Sequence, residues 1–568
     1  MHIEWVRLKG YRNFLDALIN LRKSTLIIGA NDVGKTNLLH GLRILLDRSL
    51  PEIALDPHES DFHINAKTGK QVGDFEICIK FTNIDKDAVI SNLKGAVSEK
   101  GEAFIRYTGT RGNLSHVLQL GAGEDLLEEI SGRHYLKFIQ LRYIQSQRDL
   151  SSFVQSEKRH LLRISKEGRT PEQAAQDEKL TNDIGNSLSS INSDVGKLHY
   201  VKSATHAVNE ELRELSHHHN DYEVRLETGA IQASEFIEKL ELSGSAGGSP
   251  VGLGGDGRNN QILMALWKAK SEREQDAENE FLIYCIEEPE AHLHPHQQRK
   301  LSDYLVKKLK GQVFVTSHSP QIAARFSPNS IVRIVAQDGA SAAASNGCSK
   351  CVEDAWLDLG YRMSVLPAEA FFAEMVLLVE GPSEVLFYRE LAKQLDIDLD
   401  QLNISILSID GIDFNVYASV LKAMHISWSA RTDNDVSEVQ KSNPKMMRYA
   451  GINRALRLVD EDILANVPAG TELNGIEAIL QATLAKTSPK GVFLSKSDLE
   501  NDLVNALQAE CLEFTGCANV DGAVKKFQSR KATNMGDFLR VHRASLKKLQ
   551  NDALAAPLKF CVHKIVNQ

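Results

Sequence analysis

Hydrophobic and polar residues alternate along the first part of the chain, as they do in strands with one buried face. The clearest examples are IEWVRLKGY at 3–11, STLIIGA at 24–30 and DFEICIKFTNI at 74–84. From about residue 149 to residue 240 the pattern becomes helical and highly charged, as in AVNEELRELSHHHNDYEVRLE. We therefore predict a strand-rich segment followed by a long helical insertion.

The pattern changes again after this helical segment. Residues 242–260 are rich in glycine and serine, which by composition alone predicts a flexible loop. The runs FLIYCIEEPEAHLHP and QVFVTSHSP each begin as a buried strand and end in polar residues, and 339–350 is predicted as a linker. Between MVLLVEG and ISWSARTDND, strand and helix patterns alternate, which favours a second α/β sheet.

Composition limits the possible classes only in part. A chain of 568 residues is long enough for about two to four domains. The formal net charge of −9 would normally argue against nucleic acid as a partner, but a local basic face could still make phosphate contacts. Seven cysteines fit the reducing cytoplasm, and the one close pair, Cys348 and Cys351, is too small for a zinc site of about four ligands. We see no leader and no apolar run of about 18 residues, so we expect no membrane partner.

The stretch STLIIGANDVGKTNLL carries the strongest chemical motif of the chain. It has the spacing G-x-x-x-x-G-K-T between a predicted strand and a predicted helix, the context that a phosphate-binding loop requires. Lys35 would reach the β- and γ-phosphates of ATP, and the Thr36 hydroxyl would bind magnesium. The predicted nucleotide-binding residues here are Gly29, Asn31, Gly34, Lys35, Thr36 and Asn37.

Two further strands end in residues suited to the same site. Glu287 and Glu288 follow an apolar run, at the strand end where α/β sheets bind their ligands. Glu287 would hold magnesium and Glu288 would polarise the attacking water, although a surface acidic turn is the alternative. His318, at the end of the next strand, would sense the γ-phosphate, although a lone histidine is often structural.

In this order, the motifs resemble ABC-type ATPases of the RecF and SMC kind. In those ATPases a signature loop of one subunit caps the nucleotide of another subunit. LGGDGRNNQILMAL lies where that signature belongs but departs from the usual S-G-G pattern. The resemblance implies that the glycine-rich stretch is functional, that the protein is at least a dimer, and that the nucleotide is contacted by Gly255, Asp256, Gly257 and Arg258.

A second acidic site is predicted downstream. Glu380 follows the apolar run MVLLV, and Glu384 lies four residues later, after a proline suited to a helix start. Asp433 and Asp435 follow a later strand with D-x-D spacing, which points both side chains the same way. Clustered carboxylates repel one another unless a cation neutralises them, and oxygen ligands favour Mg²⁺ or Mn²⁺. Such metals activate water toward phosphodiesters.

A third acidic group lies in VFLSKSDLENDLVNAL, where Asp498, Glu500 and Asp502 follow a strand pattern. They could join the metal site, or they could simply mark the start of a helix, whose dipole favours acidic residues. The next segment is basic and is opposed only by Asp537. It is either a solvated helix or a grip on the nucleic-acid backbone, and its cations are Lys525, Lys526, Arg530, Lys531, Arg540, Arg543, Lys547 and Lys548.

A glutamate after one strand and D-x-D after a later one resemble the Toprim domain of topoisomerases, primases and some nucleases. An ABC-type ATPase fused to a C-terminal Toprim domain is the arrangement of OLD-family nucleases, and the chain resembles the Gabija anti-phage nucleases within that family. The resemblance makes Glu380, Asp433, Asp435 and Asp502 metal-site carboxylates. Glu384, close to Glu380 in the chain, and Glu500, from the strand-then-acid pattern, are the supporting metal ligands that we predict. Lys531 would stabilise transition-state charge, or could be an ordinary backbone contact.

The fold class we predict is α/β: an ABC/SMC-like P-loop ATPase domain with a helical insertion, followed by a C-terminal Toprim domain. The expected segments are 1–148 (ATPase), 149–240 (insertion, with a dimerisation role), 241–345 (ATPase) and 346–568 (Toprim and basic segment). The resemblance implies an ATP-regulated, Mg²⁺- or Mn²⁺-dependent endonuclease of the cytoplasm. Its implied partners are double-stranded DNA, further copies in a dimer or dimer of dimers, and a superfamily 1 helicase-like subunit. A RecF/SMC-like DNA-binding ATPase with a structural Toprim domain, and a ribonuclease, are the alternatives.

Overall fold

A computed structural model describes residues 1–65, 68–145, 162–163, 165–215, 224, 233–238, 244–246, 249–251, 265, 279–291, 293–348, 368–411, 413–439, 446–468 and 476–566. The chain forms two compact units. The first unit comprises Met1–Gln145, Asp276–Glu290 and Pro295–Gln568, and the second comprises Ser146–Gln275 and Ala291–His294. Cys351 and the predicted signature residues Gly255, Asp256, Gly257 and Arg258 lie outside the described residues.

The first unit begins with an antiparallel sheet whose alternating residues bury one face. In His2–Tyr11 the side chains of Ile3, Val6 and Leu8 are fully buried, which explains the alternation in the sequence. The helices of this part are Lys35–Leu46 and Asp87–Asn92. The strand order is Phe14–Asn20, His2–Tyr11, Asp74–Thr82, Ala103–Thr110, Ser115–Gly121 and Leu127–Glu129.

A second six-stranded sheet, called the central sheet below, is parallel except for the edge strand Ala340–Ala343. Every residue of Phe281–Glu287 is buried, which accounts for an apolar run without alternation. The helices after its strands include Lys35–Leu46, Pro295–Lys307 and Pro320–Ala323. The strand order is Ala340–Ala343, Ile331–Gln337, Ser24–Ile28, Gln312–Thr316, Phe281–Glu287 and Ile139–Gln145.

The prediction of a linker at 339–350 is wrong for its described part. Ala340–Ala343 pairs in antiparallel register with Ile331–Gln337 and forms the edge strand of the central sheet. Gly347 and Cys348 continue onto the N-terminal sheet, where the Cys348 amide donates to the Asn20 carbonyl at 3.0 Å. At Gly347 a Cβ would lie 2.6 Å from the Asn20 carbonyl oxygen, so close backbone approach accounts for this glycine.

The C-terminal sheet, which follows, has four parallel strands in the order Ile404–Ser408, Met375–Val379, Ser427–Thr432 and Val492–Leu494. The predicted strand and helix alternation from MVLLVEG to ISWSARTDND is therefore confirmed. A small antiparallel sheet joins Val436–Glu438, Met446–Tyr449 and Val467–Pro468. The α-helices are Pro382–Gln394, Phe414–Ala423, Ala450–Leu458, Ile476–Thr487, Leu499–Ala506, Gln508–Thr515, Val520–Ser529, Lys531–His542 and Ala556–Val566.

The second unit is mainly helical where it is described. Its helices are Pro171–Lys197, His199–Leu215 and Ala233–Glu238, and Thr170 caps the first by accepting from the Gln173 amide at 3.3 Å. Within the stretch predicted as a flexible loop, Gly244–Ala246 and Ser249–Val251 form an antiparallel hairpin, so that prediction is wrong for these residues. Over the described residues of both units, we find no helix with the length and apolar character needed to cross a membrane.

A buried arginine joins the central sheet to the C-terminal sheet within the first unit. Arg333, on strand Ile331–Gln337, is only 5% exposed, and burial lowers its pKa. Its guanidinium donates to the carbonyls of His425 at 3.0 Å and Met424 at 3.3 Å, after helix Phe414–Ala423. It also donates to the Ala373 carbonyl at 3.1 Å, two residues before strand Met375–Val379. One side chain thus satisfies backbone acceptors of two C-terminal elements.

We expect Arg333→Ala to lower the free energy of unfolding by about 3 kcal/mol, because several carbonyls would lose their donor in a buried place. Urea denaturation followed by circular dichroism measures this loss. Arg325→Ala is the matched control, since Arg325 is exposed in the same part of the chain. Equal stability of the two variants would contradict the structural role given to Arg333.

Candidate nucleotide site and candidate active site

The phosphate loop lies between strand Ser24–Ile28 and helix Lys35–Leu46, as the sequence predicts. Gly29 and Gly34 have φ of 151° and 99°, values that favour glycine. At Gly34 a Cβ would lie 2.2 Å from Asn13 Nδ2, so glycine is also needed for packing. Lys35 Nζ lies within the loop and donates to the carbonyls of Gly29 at 3.0 Å and Ala30 at 2.7 Å.

Of the other predicted residues, Asn31 lies in the loop, and Thr36 and Asn37 lie in the first turn of helix Lys35–Leu46. Asn31 and Thr36 are exposed, so their side chains are accessible to a ligand. Asn37 accepts from Arg12 Nη1 and donates to Asn13 Oδ1, each at 2.8 Å. Asn37 therefore orders the chain next to the loop, a role that its position in the motif did not reveal.

Strands Phe281–Glu287 and Gln312–Thr316 run parallel beside the phosphate-loop strand, so their ends meet at one edge. Glu287 is 8% exposed and accepts from the Tyr143 hydroxyl at 2.6 Å. Its Oε1 atom is buried and has no hydrogen-bond partner among the described residues. An orphaned carboxylate oxygen beside the loop fits a magnesium ligand, with the Thr36 hydroxyl as the second candidate.

Glu288 and His318 lie together at the same edge. The Glu288 amide donates to the Thr316 carbonyl at 3.0 Å, and its φ of 40° turns the chain sharply after the strand. His318 Nε2 lies 3.5 Å from Glu288 Oε1, and burial followed by the charge of Lys35 lowers the pKa of His318. The arrangement can hold a water molecule and a terminal phosphate near one carboxylate and one imidazole.

Glu290 is a residue that the sequence reasoning missed at this site. Its Oε1 atom accepts from the Ser317 hydroxyl at 2.8 Å and from the His318 amide at 2.7 Å. Burial raises the pKa of Glu290. The carboxylate therefore fixes the turn that carries His318, and only its presence in EEPEAHLHP could have indicated it.

The acidic residues of the C-terminal sheet also meet at one edge. Strands Met375–Val379 and Ser427–Thr432 are parallel neighbours, and Glu380 and Asp433 follow them directly. Glu380 Oε1 accepts from the Asp433 amide at 2.8 Å and from the Thr432 hydroxyl at 2.7 Å. Ser495, which follows the edge strand, donates to Asp433 Oδ1 at 3.2 Å. The ends of three neighbouring strands therefore meet at Asp433.

Burial dominates the electrostatics of this edge. Desolvation, followed by repulsion from Glu380, raises the pKa of Asp433 to about 8. Desolvation likewise raises the pKa of Glu384 to about 7, and Glu500 adds to the effect. Carboxylates that resist ionisation in the absence of a cation are those that a divalent cation would stabilise in the ionised form.

Lys531 lies beside the buried members of this cluster. Its Nζ is 3.4 Å from Glu500 Oε2 and 4.0 Å from Asp433 Oδ2. Burial acts to lower the pKa of Lys531, but Glu500, Asp433 and Glu384 together outweigh it and raise that pKa. The ammonium therefore stays charged at neutral pH.

The three remaining acids lie at the start of helix Leu499–Ala506, which follows strand Val492–Leu494, and each of them makes different contacts. Asp498 caps helix Leu499–Ala506 by accepting from the Asn501 amide at 2.8 Å, so the alternative of an acidic helix start describes this residue. Glu500 is fully buried and accepts from the Ser383 hydroxyl at 3.0 Å. Asp502 binds Arg431 Nη2 at 2.7 Å and the Lys496 amide at 3.2 Å, so an ion pair engages this predicted ligand.

The exposed side of the cluster is occupied by a second cation. Asp435 is half exposed and accepts from Arg454 Nη2 at 2.8 Å, while Arg454 Nη1 donates to Glu380 and Thr432. Arg431 and Arg454 were both missed from the sequence. Arg431 lies in the largely buried strand Ser427–Thr432, just before the predicted acids, whereas nothing local indicates Arg454.

Within the described chain, no group of three His, Cys, Asp or Glu side chains forms a ready set of metal ligands. The residues nevertheless fit Mg²⁺ or Mn²⁺, because the donors are oxygen atoms only and the buried Glu500 Oε2 accepts no hydrogen bond among the described residues, with Lys531 Nζ 3.4 Å away as its ion-pair partner. The residues that would hold a cation are Glu380, Asp433, Asp435, Glu384 and Glu500. Cys348 is buried and contributes to no such group.

Comparison with known proteins identifies the first half of the molecule. The profile of the AAA ATPase domain family matches residues 1–116 and 128–323, which is more than half of the chain. The chain belongs to the AAA ATPase domain family. This ATPase also carries a Toprim domain, since the TOPRIM domain of overcoming lysogenization defect protein-like chains matches residues 371–435. The predicted fold class and the resemblance to the OLD family are therefore confirmed.

Two curated relatives agree with the two family matches. This AAA ATPase is 26% identical over 539 residues to Endonuclease GajA from Bacillus cereus (strain VD045), covering 88% of this chain and 89% of that protein. It is 31% identical over 160 residues to an OLD nuclease from Thermus scotoductus (strain ATCC 700910 / SA-01), covering 27% of this chain and 30% of the relative. A solved SMC head bound to the C-terminal winged-helix domain of ScpA has 15% identity and a TM-score of 0.38, covering 60% of this chain and 97% of that chain.

Proposed function

We propose that this protein is an ATP-regulated, divalent-metal-dependent DNA endonuclease of a bacterial anti-phage defence system. The observation that carries the proposal is the placement of Asp433, whose backbone amide binds Glu380 and whose carboxylate lies 4.0 Å from Lys531 Nζ. One buried carboxylate is thus bordered by a second carboxylate and by a cation suited to a phosphodiester. The printed names of the two curated relatives, an endonuclease and a nuclease, support this chemistry.

The chain's own groups divide the work of hydrolysis. A bound Mg²⁺ or Mn²⁺ would polarise the phosphodiester and lower the pKa of a water molecule. Glu380, Asp433 and Asp435 would hold the cation, with Glu384 and Glu500 behind them and Asp502 fixed by Arg431. Lys531 would stabilise negative charge that develops on the phosphoryl oxygens. The side chains on this edge therefore supply both the cation site and a preorganised positive charge.

DNA and protein partners are part of the same proposal. Lys525, Arg530, Arg543 and Lys547 are exposed in the C-terminal segment and could contact phosphates. The other cations of that segment are engaged, since Lys526 binds the Thr515 carbonyl, Lys548 binds Glu510 and Arg540 binds Asp537. Self-association through an ATP-capping signature loop, and a helicase-like partner subunit, complete the proposed assembly.

The proposed function is tested with the full chain on supercoiled and linear phage DNA, in Mg²⁺, in Mn²⁺ and in EDTA, across a range of ATP concentrations. We expect cleavage that needs the metal and changes with ATP. A matched single-stranded RNA substrate separates the ribonuclease alternative. DNA binding without cleavage in either metal would instead favour a RecF/SMC-like ATPase with a structural Toprim domain.

We expect Glu288→Gln to lower ATP turnover by about 100-fold while leaving ATP binding intact, because Glu288 is the carboxylate placed to polarise water. Release of phosphate measures turnover, and a fluorescent ATP analogue measures binding. Lys35→Ala should instead weaken binding itself, since Lys35 Nζ lies inside the phosphate loop. If Glu288→Gln hydrolyses ATP at the parent rate, Glu288 does not have this role.

ATP control of cleavage is examined with the same variant. If Glu288→Gln still changes its DNA cleavage when ATP is added, binding alone carries the signal, and the nucleotide acts as a ligand that shifts a conformational equilibrium. If the response to ATP disappears with turnover, hydrolysis carries the signal. Either result assigns the ATPase domain as the controller, whereas cleavage that is indifferent to ATP in the parent contradicts that assignment.

A further inference from the structure

Arg454 occupies a fixed place on the exposed side of the acidic cluster. It lies on helix Ala450–Leu458, which follows strand Met446–Tyr449. The start of this helix packs against the acidic loop, because a Cβ at Gly451 would lie only 2.0 Å from the Asp433 carbonyl oxygen. The Gly451 amide also donates to the Asp435 carbonyl at 3.1 Å. These contacts deliver the side chain of Arg454 to the carboxylates one turn later.

The guanidinium of Arg454 bridges two carboxylates that the proposed function assigns to a metal. Its Nη1 donates to Glu380 Oε1 and to the Thr432 hydroxyl, and its Nη2 donates to Asp435 Oδ2 at 2.8 Å. Arg454 is 26% exposed, so it can reach solvent without crossing the core. The planar fork of a guanidinium suits a pair of carboxylates that would otherwise repel each other.

A divalent cation and this guanidinium would share the same two carboxylates. Glu380 Oε1 already accepts from the Asp433 amide, from Thr432 and from Arg454, which saturates its lone pairs. A divalent cation shared by Glu380 and Asp435 would also lie beside the positive guanidinium that bridges them, so charge repulsion and competition for Glu380 Oε1 and Asp435 Oδ2 both favour release of the Arg454 bonds. Lys531 lies near Asp433 and Glu500 and does not substitute for Arg454 at the Glu380–Asp435 pair.

We propose that Arg454 is a positioning residue that acts as an internal counter-ion: it holds Glu380 and Asp435 together when no divalent cation is bound, and the cation must displace it. The proposal rests on the proposed function, because it takes Glu380 and Asp435 as ligands of a metal. It goes beyond that function by assigning a side chain of the protein that competes with the metal for these carboxylates. Binding of the metal and binding of Arg454 to the two carboxylates are then coupled, and each weakens the other.

The coupling is measured by Mn²⁺ titration without nucleotide, using electron paramagnetic resonance on the full chain. Arg454→Ala should bind Mn²⁺ at least about tenfold more tightly than the parent, as close charge pairs commonly show couplings of this size. Arg454→Lys, which keeps the charge but loses the fork, should shift in the same direction by less. Arg457→Ala on the exposed face of the same helix should leave the affinity unchanged.

Two further readouts separate this role from a simple structural one. In EDTA, Arg454→Ala should melt below the parent, because Glu380 and Asp435 lose their counter-ion, and saturating Mn²⁺ should close that gap. Adding Glu380→Ala to Arg454→Ala should abolish the tighter Mn²⁺ binding, which would show that the effect acts through Glu380.

Weaker or unchanged Mn²⁺ binding in both Arg454 variants would overturn the inference. If instead the parent cleaves no nucleic acid while Arg454→Ala still tightens Mn²⁺ binding, the proposed function fails and the inference stands.

Discussion

Glu380→Ala is expected to abolish metal-dependent DNA cleavage, with a loss of at least about 1,000-fold, since a divalent metal contributes several kcal/mol to the transition state of phosphodiester hydrolysis. Glu380 is the strand-end carboxylate that binds the Asp433 amide and the Thr432 hydroxyl. Its removal takes away one proposed ligand and also the acceptor that orders the Asp433 turn. Initial rates on supercoiled DNA in Mg²⁺ and in Mn²⁺ measure the loss.

The matched control is Glu390→Gln. Glu390 lies on the helix that follows Glu380, but it accepts from the Gln394 side chain at 2.9 Å, away from the sheet edge. This variant should cleave DNA at the parent rate, and both variants should bind ATP normally. Retained cleavage by Glu380→Ala would remove this edge of the sheet from the active site, whatever the behaviour of the ATPase domain.

Local pattern explains why much of the fold could be predicted. The strand ending before the phosphate loop, the strand ending at Glu287 and the strand ending at Glu380 are apolar runs, and in each case the structure buries nearly every residue of the strand. Because parallel strands end at a common edge, a glutamate after one and an aspartate after its neighbour had to come together. Once these two strands are taken as neighbours, the meeting of Glu380 and Asp433 follows from their positions at the strand ends.

The partners of these acids were not predictable in the same way. Arg454 is 74 residues from Glu380 in the sequence and reaches it only because its helix packs on the Asp433 turn. The resemblance to the OLD family made Asp502 a metal-site carboxylate, yet the buried Arg431 engages it across the fold. Tyr143 and Glu290 likewise act through hydrogen bonds that depend on how strands are ordered in the sheet. Such contacts have no local sequence signal.

The failed linker prediction has a related cause. Residues 339–350 are mostly alanine, serine and glycine, a composition typical of a connection between domains. In the structure Ser341 accepts from Asn13 Nδ2 at 2.9 Å, and Asn13 is the residue that packs against Gly34 of the phosphate loop. The Ser341 amide also donates to the Asn13 carbonyl at 2.7 Å, so the backbone of the edge strand lies close to the chain beside the nucleotide loop. Composition alone cannot separate a close approach of two backbones from an unstructured connection.

The second large effect is expected at Lys531. Lys531→Ala should lower the cleavage rate by about 100- to 1,000-fold, the cost typical of losing one group that stabilises transition-state charge. Lys531 Nζ lies 3.4 Å from Glu500 and 4.0 Å from Asp433, and these carboxylates keep its pKa raised, so it is charged at neutral pH. Single-turnover cleavage at saturating DNA isolates this effect from substrate binding.

Lys525→Ala distinguishes that role from an ordinary phosphate contact. Lys525 is exposed in the same basic segment, so its loss should weaken DNA binding and reduce the salt dependence of binding while leaving the single-turnover rate intact. Lys531→Ala should show the opposite result: the single-turnover cleavage rate should fall while the DNA affinity stays nearly normal. Its Mn²⁺ affinity should not fall, because the variant removes a cation from beside Glu500 and Asp433. If Lys531→Ala instead behaves like Lys525→Ala, Lys531 is a backbone contact and the charge that stabilises the transition state must come from elsewhere on this edge.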